Sequence, residues 1–243
     1  MRAPMHADPL LDAPGATANG WLPALGALLA AALVIVWIGA FTDIDLTLAD
    51  AAFDRTAMAF PWRHAWLTEV FAHVALKRAL TVLGVLFILA AAWDLIWPRA
   101  WSAQRRLQMR LVALSAILVP TAISLLKHMS KSHCPWDLQR YGGVEPYVRL
   151  LDAMPHGIIA GNCMPAGHAS TALWMVSLAV FLLPARPRAA AMAAVILLGA
   201  GFLVGWMQQM RGAHFLTHTL WSMWIACATI GALYAGLARL AKA

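Results

Sequence analysis

Histidine, lysine and arginine crowd into three short polar stretches of an otherwise apolar chain. They are LLKHMSKSHCPWDLQRYGG (residues 125–143), MPAGHAST (164–171) and QQMRGAHFLTHTLWS (208–222). Six of the nine histidines, His128, His133, His156, His168, His214 and His218, fall within residues 127–168 and 208–218. Imidazoles gathered beside cations can bind an anion and move its protons. His168 follows Pro165 and Gly167 where an apolar run begins. Free amides at such a helix start attract anions, and an imidazole there can protonate a leaving oxygen. Arg211, His214 and His218 are spaced to lie near one helical face. A histidine oriented by a second group can attack phosphorus. Lys127 brings an ammonium to the same side of the chain, with Lys131 four residues on. Blander readings stay open beside these: a snorkelling lysine, a capping histidine, and interfacial histidines packed on neighbouring helices.

The elements that must position these groups read as membrane spans. Of 243 residues, 62% are hydrophobic and 12% charged, against about half and about a quarter in a water-soluble domain. Apolar runs cover residues 21–41, 79–97, 111–126, 169–184, 190–207 and 219–237. Each is near the length of about 20 residues that crosses a bilayer. Their interiors lack the polar face of a soluble amphipathic helix. The expected fold is therefore all-α, a six-span transmembrane bundle. A single membrane domain over residues 21–243 would follow a cytoplasmic tail, residues 1–20. Trp21, Trp37, Trp93, Trp97, Trp206 and Trp221 sit near run ends, as an interfacial belt requires. The mixed segment at residues 48–78, interrupted by Pro61, reads as a surface-lying helix or a loop packed on the bundle. No small-residue cleavage site follows the first run, so it reads as a retained anchor.

Charge distribution orients the bundle. Arg99, Arg105, Arg106, Arg110, Arg186, Arg188, Arg239 and Lys242 fall on one side, the expected cytoplasmic side with both termini. The net charge of +7 is thus a topology signal, and nucleic-acid binding is not expected. Lys127, Lys131, Arg140, Arg149 and Arg211 face outward against this tendency, as cations kept to hold an anion would.

The order and spacing of the three stretches resemble the type 2 phosphatidic acid phosphatase and vanadium haloperoxidase superfamily, whose pattern is K-x6-R-P, P-S-G-H and S-R-x5-H-x3-D. Here Lys127 to Pro135 reads K-x6-C-P, Pro165 to His168 reads P-A-G-H, and Gln208 to His218 reads Q-x5-H-x3-H. The resemblance implies a metal-independent, cofactor-free lipid phosphatase. His214 would be the nucleophile that forms a phosphohistidine. His168 would protonate the leaving oxygen, and Lys127 and Gly167 would bind phosphate. Cys134, Ala166, Gln208 and His218 depart from the family pattern. Arg211 and Lys131 are then the candidates to replace lost positive charge, with Arg140 behind them, and His218 would take the orienting carboxylate's place. A register starting at Arg211, with His218 as nucleophile and Ser222 last, needs one extra residue; the GAHFLTH context favours His214.

Cys134 and Cys163 both lie outward beside motif residues. An oxidising compartment allows a bridge between them, which would clamp the first two motifs; the alternative is two free thiols. The same cysteines with histidines at i and i+4 also allow zinc, but no H-E-x-x-H or C-x-x-C supports a metal. Compactness and composition point to a bacterial inner membrane, with the site facing the periplasm. The expected partners are the membrane and a lipid phosphate or diphosphate. The resemblance offers undecaprenyl diphosphate, phosphatidic acid, phosphatidylglycerol phosphate and lipid A phosphate without selecting among them. A lipid-to-lipid phosphotransferase and a non-catalytic relative that binds anionic headgroups are the rival readings.

Overall fold

The computed structural model describes residues 21–98 and 101–240. The tail at 1–20, Arg99 and Lys242, used above for domain layout and topology, lie outside the described residues. Seven α-helices form the described structure: α1 Leu22–Phe41, α2 Ile44–Ala52, α3 Lys77–Ile96, α4 Ala103–His128, α5 Gly167–Leu173, α6 Pro187–Met210 and α7 Leu216–Leu240. Among the described residues there is no strand, only isolated bridges between Asp54 and Ala59 and between Leu138 and Glu145.

Five helices are long and apolar enough to cross a membrane: α1, the continuous helix Leu67–Ile96, α4, α6 and α7. The expected fourth run, 169–184, is instead a shorter apolar helix, Gly167–Leu182. Here α5 tightens into a 3-10 helix over Trp174–Leu182. Two glutamines of α4 answer the carbonyls near its end. Gln104 Nε2 donates to the Leu183 carbonyl at 2.9 Å, and Gln108 Nε2 donates to those of Val180 and Leu183 at 3.1 and 3.0 Å. Polar side chains inside an apolar bundle are tolerated when they satisfy backbone groups in this way.

The segment at 48–78 differs from the expected surface helix. Only α2, with part of its length in that segment, lies outside the spans. Turns follow, and a π-helical stretch, Leu67–Leu76, then runs straight into α3. Its residues are apolar enough to extend the second span by several turns toward its N-terminus, so the helix begins well before residue 79.

Two packed layers result. In the bundle, Leu111, Val112, Val119 and Ile123 of α4 meet Ala169 and Leu173 of α5, Trp174, and Ile225 and Ala226 of α7. Close approach of α6 to α7 requires Gly205, where a Cβ would fall 2.3 Å from Thr219 Cγ2. Helix α1 packs on α7, with Trp224 Nε1 donating to the Leu28 carbonyl at 2.7 Å. Outside the bundle lies a cap, in which Ala49, Phe53, Phe60, Leu138, Tyr141 and Phe215 form a second apolar cluster. Arg140 ties this cap together, donating through Nε to Asp50 at 2.8 Å, while Tyr141 donates its hydroxyl to Asp50 at 3.0 Å. Arg140 is thus committed to Asp50.

Candidate active site

Three helix ends meet beneath the cap. Lys127 lies in the last turn of α4, His168 in the first turn of α5 and His218 in the first turn of α7. His214 occupies the loop between α6 and α7. That loop turns sharply at Gly212, whose φ of 74° suits glycine, and a Cβ there would strike the Phe60 ring at 2.4 Å. The second motif is stitched to the third. Ala166 N donates to the His218 carbonyl at 3.0 Å, and Ser222 Oγ donates to the carbonyls of Ala166 and His218, both at 3.0 Å.

The rings of His168 and His214 lie 5.9 Å apart, centroid to centroid. Those of His214 and His218 are 5.7 Å apart. Lys127 Nζ lies beside Gly167, 3.9 Å from where a Cβ on that glycine would stand. His214 is only 2% exposed. Burial pushes its pKa well below 6.5, and the charges of His218, His168 and Lys127 push it further down. Desolvation and neighbouring cations both disfavour an imidazolium, so His214 stays neutral with a nitrogen lone pair available. A neutral imidazole facing a second imidazole and an ammonium can attack an electrophilic phosphorus, pass a proton to a departing oxygen and balance phosphate charge.

His218 was expected to orient His214, and the geometry differs. Among the described residues no hydrogen bond joins the two rings. His218 Nε2 pairs with Ser132 Oγ at 3.0 Å, and its buried Nδ1 has no hydrogen-bond partner. The group at His214 Nδ1 is instead Cys163 Sγ, 3.5 Å away. Cys163 is bridged to Cys134, joining the first motif to the second. The sulfurs and His214 Nδ1 lie within 4.8 Å of one another, a spacing that suits a metal. In the bridged form, however, each sulfur is bonded to the other and offers no thiolate ligand.

Arg211, expected as replacement charge, has its donors directed elsewhere. Nε donates to the Arg63 carbonyl at 3.0 Å, Nη1 to Gln208 Oε1 at 3.0 Å, and Nη2 lies 3.8 Å from Glu69 Oε1. A guanidinium this buried needs fixed acceptors, and the segment preceding α3 supplies them. Gln208, at the family's arginine position, is fully buried, and its Nε2 has no hydrogen-bond partner. Lys131 is exposed and lines a cavity of about 240 Å³ beside His218, with Ser130, Ser132, Asp45 and Tyr147. The remaining outward histidines do not join the cluster. Buried His133, for instance, pairs through Nε2 with the Ile159 carbonyl at 2.9 Å.

Sequence reading missed Asp45 and Ser132. Asp45 accepts from Thr217 N at 3.0 Å and from the Thr217 hydroxyl, capping α7 from α2 and fixing the helix that carries His218. Burial raises its pKa. Asp137, by contrast, makes a local contact, accepting from Cys134 N at 3.2 Å.

The profile of the PAP2 superfamily matches residues 108–241, more than half of the chain and every residue of the histidine cluster. The chain belongs to the PAP2 superfamily. Membership in PAP2 points to phosphatase-type activity on phosphate esters. No curated protein and no solved structure matches the chain.

Proposed function

We propose that the protein removes phosphate from a lipid phosphate or diphosphate through a phosphohistidine on His214. The observation that carries this reading is the convergence of a neutral, buried His214, His168 and Lys127 from three separate elements. His214 forms the N–P bond as the bond from phosphorus to the lipid oxygen breaks, and His168 gives that oxygen a proton. Water then attacks the phosphohistidine, with His168 taking the proton back. Lys127 offsets charge on the transferring group, as phosphoryl transfer requires. Lys131, in the cavity beside His218, and Gly167, beside Lys127, meet the substrate's phosphate or headgroup. No metal takes part in this scheme.

A site at the ends of apolar helices suits an amphiphile whose tail stays in the bilayer. The arginine distribution supports a site on the periplasmic side of a bacterial inner membrane. Six crossings fit this topology, because a 3-10 helix rises about 2.0 Å per residue against 1.5 Å in an α-helix. The helix Gly167–Leu182 therefore extends about 28 Å, close to the hydrocarbon thickness.

The test is phosphate release across a panel of lipid phosphates and diphosphates, with wild type and His214→Ala compared. Radiolabelled substrate should leave acid-labile label on wild type and none on the variant. The engagement of Arg211 with Arg63 and Glu69 favours one rival, a non-catalytic relative that binds anionic headgroups. Binding without release or label would select it. Transfer of label to a second lipid would select a phosphotransferase.

A further inference from the structure

The family pattern orients its nucleophilic histidine with a carboxylate, and this chain has none at that position. Among the described residues, the side-chain atom nearest in role is the sulfur of a disulfide. We infer that the Cys134–Cys163 bridge is the positioning element for His214, selecting its reactive tautomer and making the site sensitive to reduction. The inference rests on the phosphohistidine reading above.

Cys163 Sγ, fully buried, lies 3.5 Å from His214 Nδ1. A bridged sulfur carries no proton, so at this contact it can only accept. An acceptor at Nδ1 places the ring proton there and leaves the lone pair on Nε2. The tautomer of a histidine is set by the partner of its other nitrogen. Here the bridge holds that partner still, because Cys134 is anchored by Asp137 through its amide and Cys163 N donates to the Ser132 carbonyl at 2.9 Å.

Reduction alters this contact. A dithiol's thiolate attacks Sγ of Cys134, the less buried partner, and Cys163 leaves as a thiolate that takes up a proton. The second thiol of the reductant then displaces Cys134 and closes the reductant's own disulfide. The chain gains two electrons and two protons. Cys163 is now a thiol lying 3.2 Å from the Ala213 carbonyl and 3.5 Å from His214 Nδ1. Nδ1 loses its obligate acceptor, and whenever the thiol donates to it the ring proton sits on Nε2 and the attacking lone pair is lost.

The experiment uses the purified full chain, oxidised and then treated with dithiothreitol, with a lipid phosphate that wild type hydrolyses. Reduction should lower kcat tenfold or more with KM changed less than twofold. Removal of the reductant and reoxidation should restore it. Cys227→Ser, which removes the free cysteine of α7, should respond as wild type does. The decisive pair is Cys134→Ser, which leaves a thiol at 163, and the double variant Cys134→Ser/Cys163→Ala, which leaves no proton donor there. The double variant should be several-fold faster than the single one, although both lack the bridge. Equal rates in the two variants, or no response of wild type to a reductant shown by thiol titration to have opened the bridge, would overturn the inference and leave the phosphatase reading standing. Absence of both phosphate release and label in oxidised wild type would remove that reading, and the inference with it.

Discussion

The bundle and its cap are held by different physics. In the bundle, Leu111, Val112, Val119 and Ile123 are interchangeable in kind, and their packing depends on volume and helix spacing. In the cap, single polar contacts between distant residues decide geometry: Asp45 with Thr217, Ser132 with His218, Cys163 with His214. The bundle brings three helix ends to one place. The cap sets which groups each imidazole meets. Changes in the first region should therefore act on stability, and changes in the second on turnover.

The largest expected effect falls on the loop between α6 and α7. His214→Ala should abolish turnover while circular dichroism stays near wild type, since the removed ring takes part in no capping contact. A collapse of helicity in this variant would erase the proposed division of labour. His168→Ala should follow, lowering kcat by about 10²–10⁴-fold, the range for a lost general acid. Comparing leaving groups sharpens the assignment. Substrates whose departing oxygen is least acidic should suffer most, and a uniform loss would make His168 a binding group instead.

Acid titration separates the two regions next. With its pKa depressed by burial and neighbouring charge, His214 is neutral in the fold at pH values where the unfolded chain has bound a proton. Its stability contribution is complete above pH 6.5 and is lost as pH falls toward the depressed value. The acid limb of kcat/KM should accordingly lie below 6.5, and melting temperatures of His214→Ala should fall less steeply than those of wild type between pH 6.5 and 5. An acid limb above 6.5 would mean that the buried ring is charged, contrary to its surroundings.

Bundle and cap also differ in how far they can be read from sequence. Uniform apolar runs gave the helices of the bundle because lipid requires every span to satisfy its backbone internally. The 3-10 stretch after Leu173 was hidden, since its support comes from Gln104 and Gln108 on another helix. The early start at Leu67 was hidden by the polar residues around Pro61. Types and spacing singled out His168, His214, His218 and Lys127, which the fold brings together. They did not give partners. Asp45 caps α7 across 172 residues and Ser132 meets His218 across 86, and no local pattern signals either contact. The partners of Arg211 were hidden for the same reason: its spacing suited the site, while its acceptors are Gln208 and groups at residues 63–69.

A cavity in the bundle gives a smaller expected effect on activity. Ile123 is fully buried in α4 one turn before Lys127. Ile123→Ala should cost about 2–4 kcal/mol of stability by the cavity argument, with kcat within threefold at a temperature where the variant is folded. A hundredfold loss of kcat would mean that bundle packing sets site geometry to finer tolerance than the division allows.

The smallest expected effect is at the rim of the cap. Arg140 meets Asp50 through two nitrogens, and the interaction holds the Asp50 carboxyl below its usual range. The Arg140 side chain is nevertheless 46% exposed, so solvent screens the pair and Arg140→Ala should cost only about 0.2–1 kcal/mol. Lowered Asp50 titration gives this contribution its sign: it is present above the usual carboxyl value of 3.8 and lost as pH falls through the lowered one. Activity should stay near wild type, because Tyr141 and Phe53 keep the cap packed at a ring distance of 5.1 Å without the guanidinium. A melting temperature unchanged in the variant at pH 7 would assign the whole of cap cohesion to those aromatic contacts. A large fall in kcat would instead place Arg140 in contact with the substrate, as an anion-holding cation in the role that Arg211's fixed partners keep it from.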